Sequence, residues 1–353
     1  MKKFFTLLFI GLLLFPTASM AGKTKFKVAW SIYAGWMPWD YADHSGIIKK
    51  WADAYDIEID MVRMDYIPSI EAYVAKQVDG CVMTNMECLD MPSASGIDST
   101  ALIIGDYSNG NDAILVRDGL DINGLKGQRV SLVELSVSHY LLVRALQKNG
   151  LKEKDVTVIN TSDSDIAPVF LSDDSQKVVV TWNPMVMQIA QNPGITNIFS
   201  SADIPGEVID MMVVNTKTLS ENPALGKALT GAWYEVMQIM SKRGPIANKA
   251  LTTMADAAGC SLVEYKNQVK TTAMFYTPQA AVEYTTSTEL REKMNFVREF
   301  CFDHGLLGEN AASVDVVGIE YPDGFIQGDK DEVTFRFNTT YMQMAADGKL
   351  KAD

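Results

Sequence analysis

The chain has 353 residues, 47% hydrophobic and 21% charged, with 44 acidic against 31 basic side chains and a formal charge of −13. That composition argues against disorder and against a membrane channel, and the acidic balance argues against a nucleic-acid partner, which needs clustered Lys and Arg. Three histidines, and four cysteines without a Cys-x-x-Cys pair, give a zinc site or a His-based triad little to build on, so no metal and no cofactor is expected.

Met1-Lys2-Lys3 is a basic start, and residues 4–15 form an apolar run shorter than the ~20 residues a membrane span needs. Pro16 follows, and Ser19 and Ala21 put small residues where a signal peptidase reads. Residues 1–21 are therefore expected to be a cleaved secretory signal peptide. No cysteine follows the run to carry a lipid, and no later segment is apolar for 18 residues, so the mature chain is expected to be soluble. Export permits disulfides. Cys260–Cys301 is the favoured pairing, set against the plainer reading of buried free thiols.

Residues 26–30 read as a strand, and Ile47, Ile48, Trp51 and Tyr55 fall at helical spacing. Strands are expected over residues 57–64, 81–84, 100–105 and 113–116, with a helix over 68–78. This β-α order predicts a mostly parallel sheet covered on both faces. A second set follows: strands at 128–133, 155–159 and 177–182, a helix over 139–149 closed by Gly150, and a helix opened by Asn183-Pro184. Residues 209–214 read as a strand, and the chain beyond is expected to be mostly helical, with Asn222-Pro223 and Thr277-Pro278 as cap-then-proline starts.

The length exceeds the ~250–300 residues at which single cores stop growing. Two α/β units without a flexible linker suggest one unit inserted into the other. The chain leaves the first near residues 112–117 and returns near 207–215. The boundaries predicted are residues 22–114 with 213–353 for one lobe and 115–212 for the other, with a ligand cleft between them.

In open α/β sheets ligands sit beyond the carboxyl ends of the strands. After the first strand, Tyr33, Trp36, Trp39 and Tyr41 crowd into nine residues at neither helix nor strand spacing. Trp36 or Trp39 is expected to offer a ring face, which attracts cations, with Asp40 supplying charge. After the Cys81 strand, Asn85 offers a donor and an acceptor, and Glu87 is either a ligand group or a first-turn acid. After the 128–133 strand, Ser136, Ser138 and His139 mark a helix start. Ser138 is the expected cap, and the free N–H groups there suit an oxygen or anion. Trp182 ends the next strand. Asp210 interrupts an apolar run and needs a partner or a ligand.

The Tyr33-Ala34-Gly35-Trp36-Met37-Pro38-Trp39 loop, Met83-Thr84-Asn85-Met86-Glu87, Leu135-Ser136-Val137-Ser138-His139-Tyr140 and Trp182-Asn183-Pro184 resemble the nitrate/sulfonate/taurine-type periplasmic binding proteins of ABC importers. Within that family the resemblance is strongest to the subgroup associated with urea carboxylase. It implies a type II periplasmic-binding-protein fold, with two α/β lobes joined by two hinge strands. It also implies a periplasmic monomer that binds a small-molecule ligand without catalysis and hands it to a membrane permease. The site residues it implies are Trp36, Trp39, Asn85, Glu87, Ser136 and Ser138.

No Lys or Arg lies in the four cleft loops, whereas a nitrate or sulfonate site would use one. Carboxylates and tryptophans favour a small planar cation, guanidinium first, then urea or a small amine. The helix start at Ser138 pulls toward an anion, so a sulfonate or nitrate stays as the alternative. An enzyme of the same fold, similar to the thiamin-pyrimidine synthases, is the other. Their cysteine-rich iron segment is missing here, and adjacent Ser138 and His139 point apart on a helix.

Overall fold

The computed structural model describes residues 23–308 and 310–352; the expected signal peptide lies outside the described residues. Thr24–Trp30 (β1) and Ile57–Arg63 (β2) pair in parallel along their length, joined by helices Met37–His44 (α1) and Ile47–Ala54 (α2). Tyr66–Val74 (α3) leads to Gly80–Thr84 (β3) and the short turn Asn85–Cys88 (α4). β3 is buried along its whole length, as a central strand covered on both faces must be. Ser99–Ser108 (β4) ends the first run.

Asp112–Arg117 (β5) opens a second sheet, which Arg129–Leu132 (β6), Thr157–Asn160 (β7), Val178–Trp182 (β8) and Ile195–Ser200 (β9) complete. Helices Val137–Lys148 (α5), Asp163–Ser172 (α6) and Met185–Ala190 (α7) alternate with these strands. Ile209–Asn215 (β10) returns to the first sheet. The remaining chain forms helices Thr216–Glu221 (α8), Pro223–Ser241 (α9), Pro245–Ala257 (α10) and Leu262–Lys270 (α11), strand Thr272–Met274 (β11), then helices Pro278–Thr285 (α12) and Thr288–Asp303 (α13). Strands Gly318–Glu320 (β12), Ile326–Gln327 (β13) and Val333–Phe337 (β14) and helix Thr340–Ala346 (α14) follow.

The larger sheet runs β13-β12-β14-β4-β10-β3-β1-β2, with β11 on β4, and the smaller runs β7-β6-β8-β5-β9. These are the two α/β lobes. β5 and β10 each run antiparallel to both neighbours, because each enters its sheet from the other lobe. The crossings themselves are residues 109–111, just before the expected 112–117, and 201–208, which overlaps the start of the expected 207–215.

Several local expectations are corrected. The aromatic segment after β1 becomes helix α1 from Met37, because Pro38 suits a first helical turn. The last third, expected to be mostly helical, also adds four short strands to the larger sheet. α5 is capped by Ser136 rather than Ser138: the Ser136 hydroxyl accepts the Ser138 N–H at 3.1 Å. All four cysteines are free. Cys260 lies against Gln268, 3.5 Å from its amide, whereas Cys301 is buried in α13 within the field of Glu87 and Asp90. Gly231 lets the Trp51 ring lie flat on α9; a Cβ there would fall 2.2 Å from it.

Candidate functional site

The carboxyl ends of β1, β3 and β8 point into the gap between the lobes. There Tyr33, Trp36, Tyr66, Thr84, Asp112, Val137, Trp182, Val208 and Asp210 line one cavity. It leaves about 20 Å3 for the centre of a water-sized sphere, room for a very small molecule. Its walls are aromatic. Ring centroids lie 5.1 Å apart for Tyr33–Trp36, 5.3 Å for Trp36–Tyr66 and 5.8 Å for Tyr66–Trp182. Trp182 comes from the smaller lobe, so the box closes only when the lobes meet. Its Nε1 donates across the gap to the Ile32 carbonyl at 3.3 Å, and Tyr66 N–H donates to Asp163 Oδ2 of the smaller lobe at 3.2 Å.

None of the nine lining residues is basic, and two are acids. Asp112 and Asp210 are each 2% exposed, and each keeps one carboxyl oxygen without a hydrogen-bond partner among the described residues. Behind them Asp106, fully buried, takes the Tyr33 hydroxyl at 3.5 Å and also has an unpartnered oxygen. Its carboxyl fills the space beside Gly35, where a Cβ would lie 2.5 Å from it. Burial pushes Asp112 up to about 7. Burial raises Asp106 and Asp210 as well; Asp106 pushes Asp210 further up, whereas hydrogen bonding to Asp210 and Tyr33 draws Asp106 part of the way back. Three buried carboxyls that resist losing their protons make a strongly negative pocket once ionised.

Trp36, Trp182 and Asp210, expected from sequence, meet in this cavity. Seven other candidates lie off it. Trp39 stacks on Trp233 of α9 with centroids 4.9 Å apart, a core contact. Asp40 lies 3.4 Å from His44 one turn on. Asn85 holds the return crossing, donating to the Glu207 carbonyl at 3.1 Å and accepting the Ile209 N–H at 2.9 Å. Glu87 accepts the Thr84 hydroxyl and the Val137 N–H, the latter at 3.0 Å. Ser136 serves as the helix cap and Ser138 is buried beside it.

His139 belongs to a separate cluster. It accepts the Leu135 N–H on Nδ1 at 3.2 Å and meets Glu153 Oε1 through Nε2 at 2.9 Å. His304 of the larger lobe meets the other Glu153 oxygen at 2.6 Å and bonds the Phe300 carbonyl through Nδ1 at 2.9 Å. Two histidines and a glutamate are metal-ligand types. Yet a metal on His139 Nε2 requires the ring proton on Nδ1, where the Leu135 N–H already points. The trio is an interlobe hydrogen-bonded clasp. Burial lowers the His139 pKa. Burial also pushes the Glu153 carboxyl up, but its bond to His304 and the two nearby rings outweigh this and hold it below the ordinary carboxylate range.

Sequence reasoning missed Tyr66, Asp112 and Asp106. Tyr66 falls between the strand expected over 57–64 and the helix expected over 68–78, and Asp112 reads as the polar flank of a buried strand. Asp106 falls one residue past the predicted end of its strand. The one signal for them was that acids directly flank apolar strands on both sides of the crossing.

Residues 113–244 match the sequence profile of the family described as NMT1/THI5 like. No curated protein matches the sequence. Among solved structures, the alkanesulfonate-binding protein SsuA of Xanthomonas axonopodis pv. citri, bound to MOPS, is 14% identical with a TM-score of 0.66, over 81% of this chain and 95% of that one. A Candida albicans gene product with the generic periplasmic-binding-protein fold is 15% identical with a TM-score of 0.61, over 82% and 92%. The chain has the periplasmic-binding-protein fold. That fold also serves chemistry: the desulfurization enzyme DSZB is 13% identical with a TM-score of 0.58, over 92% and 99%. No helix among the described residues is long and apolar enough to cross a membrane.

Proposed function

We propose that this protein is an extracytoplasmic solute-binding protein of an ABC importer, which closes its two lobes on a small nitrogen-rich cation, guanidinium first, and delivers it to a membrane permease as a monomer. The observation that carries this reading is the pair Asp112 and Asp210, each with an unpartnered buried oxygen in an aromatic-walled cavity that has no basic lining residue. A buried cation needs fixed counter-charge. Guanidinium offers planar N–H donors to carboxylates, and its faces stack on aromatic rings. The small cavity favours a solute of a few heavy atoms. Binding rather than catalysis is supported by a lining without Ser, Cys, Lys or His.

Neutral urea is a second reading, favoured by the unpartnered indole N–H of Trp36, which suits a carbonyl oxygen. A thermal-shift screen with guanidinium, urea, small amines, taurine and nitrate tests the proposal. Stabilisation by guanidinium above all others supports it, and stabilisation by taurine or nitrate alone refutes it. A ligand at a hundredfold excess over Kd stabilises by ~2.7 kcal/mol.

A further inference from the structure

α5 is 12 residues long, and the free N–H groups of its first turn carry partial positive charge. Such a helix start attracts anions, and this one reaches the cavity through Val137. A carboxylate from the other lobe already occupies it. Glu87 Oε1 accepts the Val137 N–H at 3.0 Å. Its other oxygen takes the Thr84 hydroxyl, whose own oxygen accepts the Met86 N–H at 3.3 Å. Burial raises the Glu87 carboxyl above the ordinary carboxylate range, and the donors on both of its oxygens offset part of that push. Glu87 is 0% exposed and does not line the cavity, whereas Thr84 and Val137 on either side of it do. Ser138, next in the helix, is also 0% exposed, and its hydroxyl has no partner among the described residues.

We infer that Glu87 is a specificity-determining residue: it fills the positive end of α5 whenever the lobes close and so shuts out small oxyanions, which that helix start would otherwise bind. This rests on the solute-binding reading. It also explains how one fold can take opposite ligand charges. An anion at this position must displace a carboxylate that holds two bonds, one of them to the opposite lobe. Removing the carboxylate frees the Val137 N–H and the Thr84 hydroxyl beside the unpartnered Ser138 hydroxyl, which together suit a sulfonate-sized group.

Calorimetry with methanesulfonate and with guanidinium, on the parent protein, Glu87→Ala and Glu87→Gln, tests it. Expected is no measurable methanesulfonate binding by the parent and at least tenfold tighter binding by Glu87→Ala. Glu87→Gln keeps an acceptor for Val137 but loses the charge, and is expected to gain at least threefold. The inference is overturned if folded Glu87→Ala binds methanesulfonate no better than the parent. If Glu87→Ala does not fold, the absence of a gain in Glu87→Gln overturns it equally. Guanidinium binding by the parent separates the two ideas: if it persists while the variants gain no anion, only the role of Glu87 falls. If the parent binds neither guanidinium nor urea, the solute reading falls.

Discussion

Asp106 and Asp210 face each other across adjacent antiparallel strands, both carboxyls buried and each with one oxygen unpartnered among the described residues. Two such groups cannot both ionise cheaply without a cation. The cross-strand pair, with Asp112 at the crossing, therefore links ligand charge to pH.

The sign follows from burial. A carboxyl whose pKa is raised by folding stabilises the protein fully below its unfolded value, and that stability is lost as pH rises through the folded value. Asp112, pushed up to about 7, should therefore make the ligand-free protein less stable between about pH 4 and pH 7. Asp112→Asn should reduce that slope, to which Asp106 also contributes, read by comparing denaturant unfolding of the two proteins across this range. Cation binding requires the ionised form, so guanidinium affinity should rise with pH toward neutrality. One coupled proton gives about tenfold per pH unit. Calorimetry in buffers of different ionisation enthalpy should report proton release on binding. Urea, being neutral, should show little of this.

The ring walls predict a graded effect. Trp36→Ala or Trp182→Ala should weaken guanidinium by ~1–2 kcal/mol through lost cation–π contact. Trp39→Phe should leave affinity nearly unchanged, because Trp39 stacks on Trp233 instead. Isothermal titration of the three variants checks this, and an equal loss at all three positions would contradict the placement of the cage.

Arg144 holds the return crossing. Its Nε and Nη2 donate to the two oxygens of Glu207 at 2.8 and 3.0 Å, and Glu207 is 4% exposed. Arg144→Met leaves that carboxylate with the Tyr140 hydroxyl as its remaining side-chain donor. Breaking a buried pair this way should cost about 3 kcal/mol in urea unfolding. The double change Arg144→Met with Glu207→Gln should recover part of it.

The fold was legible where periodicity was strong. β1, β2, β3, β8 and β10 lie within a few residues of expectation, because β2 alternates and the others carry short apolar runs between turn signals. The helix starts at Pro223 and Pro278 were legible from their capping residues. The late strands β11 to β14 were not, being two to five residues long, too short to show an alternation. At the site, Trp36, Trp182 and Asp210 were visible because strand ends and an interrupted apolar run mark them. Trp39 and Asn85 share the same segments but turn to the core and to the return crossing. That choice depends on Trp233 and Glu207, which are distant in the chain. The Asp40–His44 pairing was available as an i, i+4 spacing.

The most direct test is calorimetric titration of guanidinium into the parent protein, Asp112→Asn and Asp210→Asn at pH 8, above the value of about 7 to which burial pushes Asp112. Saturable binding by the parent is predicted, with each variant weakened by ~2–5 kcal/mol, the range for removing one partner of a buried charge pair. Equal guanidinium affinity in all three proteins would contradict a carboxylate-held cation in this cavity.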